Sequence, residues 1–235
     1  MYRLRSIGAA LGLAFAVTAV MPAARAQAPA GAAYWPQWRG PELTGVGRRA
    51  TPPVEWSESR NVRWKVEIPG RGHASPVVWG DRIFVLTAVP DGVGADRSHA
   101  PLGGVEPRAS HRFLVLALDR RTGRTVWERV AKHAVPHEGT RPDTGTWASS
   151  SAATDGEVVI AHFESRGIFA YDLNGALLWQ KDLGLKRMRN QFGEGTTPAL
   201  YGRYVVVVWD HQGDSFVVAL DKRTGGEMWR ARRDE

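Results

Sequence analysis

One phrase is written three times along this 235-residue chain. It reads ALDRRTGRTVW at Ala117–Trp127, ALDKRTGGEMW at Ala219–Trp229 and, one residue shorter, AYDLNGALLW at Ala170–Trp179. The closing tryptophans, Trp127, Trp179 and Trp229, lie 52 and 50 residues apart, and each follows a glycine (Gly123, Gly175, Gly225) by four residues. A period near fifty restricts the fold more than any composition does. Each repeat has to be one supersecondary unit that buries its apolar face against the next unit.

The text upstream of each copy says what the unit is. The first runs ASPVVWG, DRIFVLTA, RFLVLALD, RTVWERVA; the second SSSAATDG, EVVIAHF, GIFAYDL, ALLWQKDL; the third TTPALYG, RYVVVVWD, DSFVVALD, GEMWRARR. These are short runs rich in β-branched and aromatic residues, bounded by Gly, Asp and Thr-Gly turns. No long segment carries the 3.6-residue period of an amphipathic helix. Four strands every fifty residues predict an all-β chain, a β-propeller of four-stranded antiparallel blades. The expected blades span about 72–131, 147–184 and 195–232, and residues 62–71 read as an orphan closing strand. Pro76 and Pro198 fall where a first strand begins, on an edge that needs no amide. Three blades do not close a disc, so the chain is expected to be the N-terminal part of a disc of seven or eight blades.

The repeated phrase has a packing role in this scheme. Asp119 and Asp221 open a turn in which a carboxylate accepts the following amides, and Asn174-Gly175, after Asp172, is a tight-hairpin dipeptide. The glycines take the left-handed conformation that closes the turn. Ala117, Ala170 and Ala219 leave room on the third strand for the large neighbour supplied by Trp127, Trp179 and Trp229, expected between blades.

The pattern Ala-x-Asp-x-x-Thr-Gly-x-x-x-Trp resembles the tryptophan-docking motif of quinoprotein-type propellers, the pyrroloquinoline quinone (PQQ) repeat family. It is complete in the first and third copies and lacks the threonine in the second. YWPQWRGP (Tyr34–Pro41) and VRWKVEIPGRGHASPVVWGDRIFV (Val62–Val85) are similar to the opening of exported PQQ-binding-like propeller proteins. The resemblance implies two functions. One is a non-catalytic binding or scaffold module for an envelope protein or polysaccharide, like the cofactor-free outer-membrane-protein assembly lipoprotein. The other is a PQQ- and calcium-dependent alcohol or sugar dehydrogenase. Many alcohol-oxidising relatives carry adjacent cysteines beneath the cofactor, and this chain has no cysteine. The family's cation ligands and catalytic aspartate are not placed on named residues here. Neither a Gly-x-Ser-x-Gly elbow nor a His-Glu-x-x-His helix occurs.

Residues 1–26 read as a secretory signal: Arg3 and Arg5, an apolar run to Met21, then Ala24-Arg25-Ala26. Residues 27–61 are an extended N-terminal segment, and 62–235 the partial propeller. Removing Arg3, Arg5 and Arg25 lowers the formal charge from +7 to +4. An exported chain of that charge is not a nucleic-acid binder, and no membrane span remains once the signal is removed. The address expected is periplasmic or secreted.

In a meander the turns between strands one and two and between three and four share one face of the disc. Here those turns are tight. The other face takes the long connections, about 90–110, 132–147, 182–195 and 210–214, and is the expected ligand face. Candidate residues are His133 and His137 (with Glu138, Arg141 and Asp143), the basic stretch KRMRNQ with Arg187 and Arg189, and Asp210 and His211 (with Asp214). Pro136 argues against a helical metal pair at His133 and His137.

Overall fold

The computed structural model describes residues 33–48, 50–92, 109–140 and 145–234. The secretory signal, most of the 90–110 connection, Arg141 and Asp143 lie outside the described residues. Twelve strands form three four-stranded antiparallel sheets, with no α-helix among the described residues. Blade 1 is β1 (Val77–Trp79), β2 (Arg82–Pro90), β3 (His111–Asp119) and β4 (Thr125–Ala134). Blade 2 is β5 (Ala153–Thr154), β6 (Val158–His162), β7 (Ile168–Asp172) and β8 (Leu177–Lys181). Blade 3 is β9 (Ala199–Tyr201), β10 (Tyr204–Trp209), β11 (Phe216–Asp221) and β12 (Glu227–Arg232). Each sheet is a simple meander in chain order.

β3 of blade 1 and the two inner strands of blade 2 are covered on both faces, which is why FLVLAL in β3 and VVIAH in β6 are buried runs rather than alternating ones, whereas β10 of blade 3 alternates. The core therefore lies between sheets. Phe84, Phe113 and Trp127 of blade 1 share a cluster with Phe163, Phe169 and Tyr171 of blade 2. Ile160, Ile168 and Trp179 of blade 2 share a second with Val205, Trp209 and Leu220 of blade 3.

The repeated phrase has one geometry. Ala117, Ala170 and Ala219 stand opposite Trp127, Trp179 and Trp229 in the β3–β4, β7–β8 and β11–β12 ladders. Ala117 and Ala170 leave their indoles free to reach across to the following blade. Trp127 Nε1–H donates to Leu173 O (3.0 Å) and Trp179 Nε1–H to Lys222 O (2.8 Å). Both acceptors are the carbonyl just after the turn aspartate, Asp172 or Asp221. Asp119 Oδ1 accepts the amides of Arg121 and Thr122, and Asp221 Oδ1 those of Arg223 and Thr224. The Thr122 hydroxyl and amide hold the Asp119 carboxyl below its ordinary value. In the shorter copy Asp172 Oδ1 accepts from Asn174 and Ala176. There Gly175 alone is left-handed and Asn174 is not, so the loop is a single-glycine turn with a register shift at Ala170/Tyr171.

The glycine has a second duty. A Cβ on Gly175 would lie 2.8 Å from Trp127 Cδ2, and one on Gly225 2.7 Å from Trp179 Cδ2. The indole of one blade lies flat on the turn of the next. Gly123 of blade 1 is covered in the same way by Trp64, whose ring would meet a Cβ there at 2.7 Å and whose Nε1–H donates to Arg120 O (3.0 Å). Residues 62–68 join no sheet, yet they place a tryptophan where a preceding fourth strand would. Trp127 and Trp179 are 7% and 8% exposed; Trp229, with no turn against it in this structure, is 44% exposed.

The first strands adjoin and line the axis. Ser75 N–H donates to Ser151 Oγ (2.9 Å), and Ser151 N–H to Thr197 Oγ1 (3.1 Å). These three residues hold equivalent positions before β1, β5 and β9, so one hydrogen bond is repeated from blade to blade.

Candidate functional site

Beneath the long-loop face the structure places charge where the blade pattern provides only apolar packing. The β6–β7 loop, a 3-10 turn over Glu164–Arg166, carries three polar residues into the interior, and Glu164 is left-handed at φ 55°. A left-handed non-glycine residue is held only where its surroundings over-determine it. Glu164 Oε2 takes a charge-assisted bond from Lys186 Nζ (2.6 Å), and Oε1 accepts the Ser150 hydroxyl and the Thr196 amide. Lys186 Nζ also reaches Thr196 Oγ1 (3.2 Å) and lies 4.6 Å from the centre of the Trp209 ring.

A second carboxylate, Glu194, sits alongside. Its Oε1 accepts the Ser165 hydroxyl (2.5 Å), and its Oε2 accepts the Ser165 amide (3.1 Å) and pairs with Arg166 (3.1 Å). Arg166 stacks over Phe113, joining the network to blade 1. The two carboxylates and two cations are all buried. They neutralise one another, the condition under which buried charge is tolerated.

His162 completes the floor. Nδ1 lies 2.8 Å from Thr196 O, so this nitrogen carries the proton of the neutral ring. Nε2 is buried without a hydrogen bond, 3.8 Å from Glu164 Oε2. Burial, the largest influence, holds the imidazole below its ordinary value against the pull of Glu164. For Glu164, burial pushes upward, but the Lys186 ammonium, with hydrogen bonds from Lys186 and Ser150, leaves the carboxyl below its ordinary value.

The candidate residues divide around this floor. His137 Nε2 lies 2.7 Å from Lys186 O, Glu138 Oε2 accepts Met188 N–H (2.9 Å), and His211 Nδ1 accepts Arg187 N–H (3.2 Å). The backbone of Lys186–Met188 thus gathers His137 and His211 from the connections on either side, and Arg187 and Arg189 are exposed beside them. His133 does not join them. β4 runs to Ala134, so His133 is a strand residue bonded to Asp91, which also accepts from Ser110. The basic stretch is divided too: Lys186 is committed to Glu164, and only the two arginines face solvent. Asp210 lies 3.0 Å from Arg233 Nε and Asp214 is 3.7 Å from Arg232, so these acids face arginines rather than one shared point. Among the described residues no three His, Asp or Glu side chains are grouped to hold a metal ion. Nor, among the described residues, is any helix long and apolar enough to cross a membrane.

Sequence reading missed Glu164, Arg166, His162 and Glu194. The available signal was AHFESRGIF, two charged residues in a short loop between strands that are otherwise apolar. Lys186, Arg166, Glu164 and Glu194 are committed to one another, so these four side chains are not free to hold a tricarboxylate quinone or its cation.

The family model described as outer membrane protein assembly factor BamB matches residues 53–235. No curated protein matches the sequence. Among solved structures, a quinohemoprotein alcohol dehydrogenase from Pseudomonas putida HK5 is similar at 18% identity over 72% of this chain and 22% of its own, with TM-score 0.44. BamB from Moraxella catarrhalis is similar at 26% identity over 53% of this chain and 33% of its own, with TM-score 0.33. A quinohemoprotein alcohol dehydrogenase from Comamonas testosteroni is similar at 16% identity over 70% of this chain and 21% of its own, with TM-score 0.44. The chain thus spans a third or less of the length of each of these structures. Three docking turns, each covered by a tryptophan, on three meander blades matched over residues 53–235, place this chain in the BamB family of PQQ-type β-propeller repeat proteins.

Proposed function

We propose that the protein is an exported, non-catalytic propeller module of the cell envelope that binds a protein or polysaccharide partner through its long-loop face. The observation that supports this is the neutralised floor. The buried acids that acid–base or cation chemistry would need are each held by a cation and by hydroxyl or amide donors, and the loops above are braced by that network. Rigid loops with exposed arginines are suited to recognition.

Photocrosslinking in cells tests the reading. A benzophenone amino acid at Arg189, on the long-loop face, is expected to capture an envelope partner, and one at Arg203, on the tight-turn face, is not. Capture at Arg203 alone overturns the face assignment. Calorimetry with PQQ and calcium addresses the dehydrogenase reading: saturable binding at micromolar cofactor, with dye-linked alcohol oxidation, replaces the proposal. Export predicts a periplasmic or secreted form whose N-terminal residue is Gln27.

A further inference from the structure

The segment before the propeller is bonded to the axis itself. Trp35 and Val78 exchange two backbone hydrogen bonds (Trp35 N–H to Val78 O, 3.1 Å; Val78 N–H to Trp35 O, 2.7 Å). Val78 lies in β1, whose other edge pairs with β2, so Trp35 adds to the edge that faces the axis. The next residue, Pro36, turns its carbonyl to the other side and accepts Thr154 N–H of β5 (2.8 Å). Successive residues of an extended chain present their polar groups to opposite sides, so one dipeptide bridges two blades. Proline suits the second position because only its carbonyl is used there.

Side chains fix the segment in place. Tyr34 packs on Trp79 (ring centres 5.1 Å apart), and Trp79 covers Gly156 in the first turn of blade 2. Behind it the chain folds back through the bonds Gly40 N–H to Gln37 O (2.9 Å) and Gly45 N–H to Arg39 O (2.9 Å). Gly40 is left-handed, and a Cβ there would lie 2.8 Å from the Trp35 ring. Trp35 therefore rests on a glycine turn as the docking tryptophans do. Trp79 and Gly156 stand at the β1–β2 and β5–β6 turns, which puts all of this at the tight-turn end of the axis.

The geometry points to residues 34–45 as a strap: an extended segment inserted between the axis-facing edges of β1 and β5, joining the two blades and closing the tight-turn end of the axis. It satisfies edge amides that would otherwise be open to foreign strands. It also leaves the long-loop end as the side from which a ligand reaches the axis.

Blade 3 supplies an internal control, because Leu200 occupies the position of Val78 and Thr154 and the strap does not reach it. In amide hydrogen exchange on the intact chain, Val78 and Thr154 are expected to exchange at least tenfold more slowly than Leu200. Equal rates at the three positions overturn the strap. A second measurement uses the absence of cysteine. Thr154→Cys is expected to label with a thiol reagent at least tenfold faster when Trp35→Ala and Pro36→Gly are added, with far-UV circular dichroism unchanged. Labelling that is equally fast without those changes also overturns it.

Discussion

The contact between a tryptophan and the next blade's glycine is best tested at Gly175. Gly175→Ala does two separable things. It forces alanine into a left-handed conformation (φ 82°), at a cost of about 1–2 kcal/mol. It also drives a methyl group toward Trp127 Cδ2, at 2.8 Å, so the indole has to lift from the turn. Lifting loses the Nε1–H bond to Leu173 O, about 1 kcal/mol, and re-exposes part of the ring. If a third of an indole's roughly 200 Å² returns to water, about 2 kcal/mol follows at 25 cal/mol/Å². Gly202 separates the two effects, since it is left-handed at φ 57° with nothing within 4 Å of an added Cβ. Gly202→Ala is therefore expected to cost only the strain, and Gly175→Ala about 3 kcal/mol more. Urea unfolding followed by near-UV circular dichroism measures both. A difference below about 1 kcal/mol would refute the docking contact. So would a Gly175→Ala cost that stays the same once Trp127 has been changed to Ala, because the two sites should then be uncoupled.

Three further outcomes follow from the charged floor and the turns. Lys186→Met leaves Glu164 buried beside no lysine and is expected to cost about 3–5 kcal/mol in urea unfolding, with much of the loss recovered in the Lys186→Met/Glu164→Gln pair. Stability should fall on acidification in two stages. His162 is held below its ordinary 6.5, so the unfolded chain takes up the proton first and stability declines as pH drops below about 6.5. Glu164, held below its ordinary 4.5, adds a further loss as pH falls past that value. His162→Asn keeps a donor for Thr196 O and does not titrate; it should flatten the decline between pH 7 and 5 in thermal melts. Trp179→Phe keeps the ring contact on Gly225 but removes the donor to Lys222 O, and is expected to cost about 1 kcal/mol by the same measurement.

The blades were legible because each depends on short-range chemistry. A turn aspartate, a left-handed glycine and a small residue opposite a tryptophan are local signals, and their period reveals the repeat. Trp64 was visible as part of an orphan strand, yet nothing local told that it would cover Gly123 while joining no sheet. The floor was not legible, since Lys186 and Glu164 come from different loops 22 residues apart and meet only when two connections fold over the same strands. Lys186 reads as one more basic residue of KRMRNQ until its burial is known. His133 fails for a different reason: β4 continues past the expected loop boundary, and strand ends are set by pairing with β3 rather than by composition.

Trp64 also bears on how blade 1 meets foreign surfaces. The three docking turns, at Gly123, Gly175 and Gly225, are each covered by a tryptophan of the same chain. Head-to-tail growth through this contact requires an uncovered turn as acceptor, and an open heterologous contact of that kind extends into fibres. None of these three turns is uncovered, so a foreign tryptophan can dock on blade 1 only after Trp64 has lifted from Gly123. The cap is a single indole seated on a glycine.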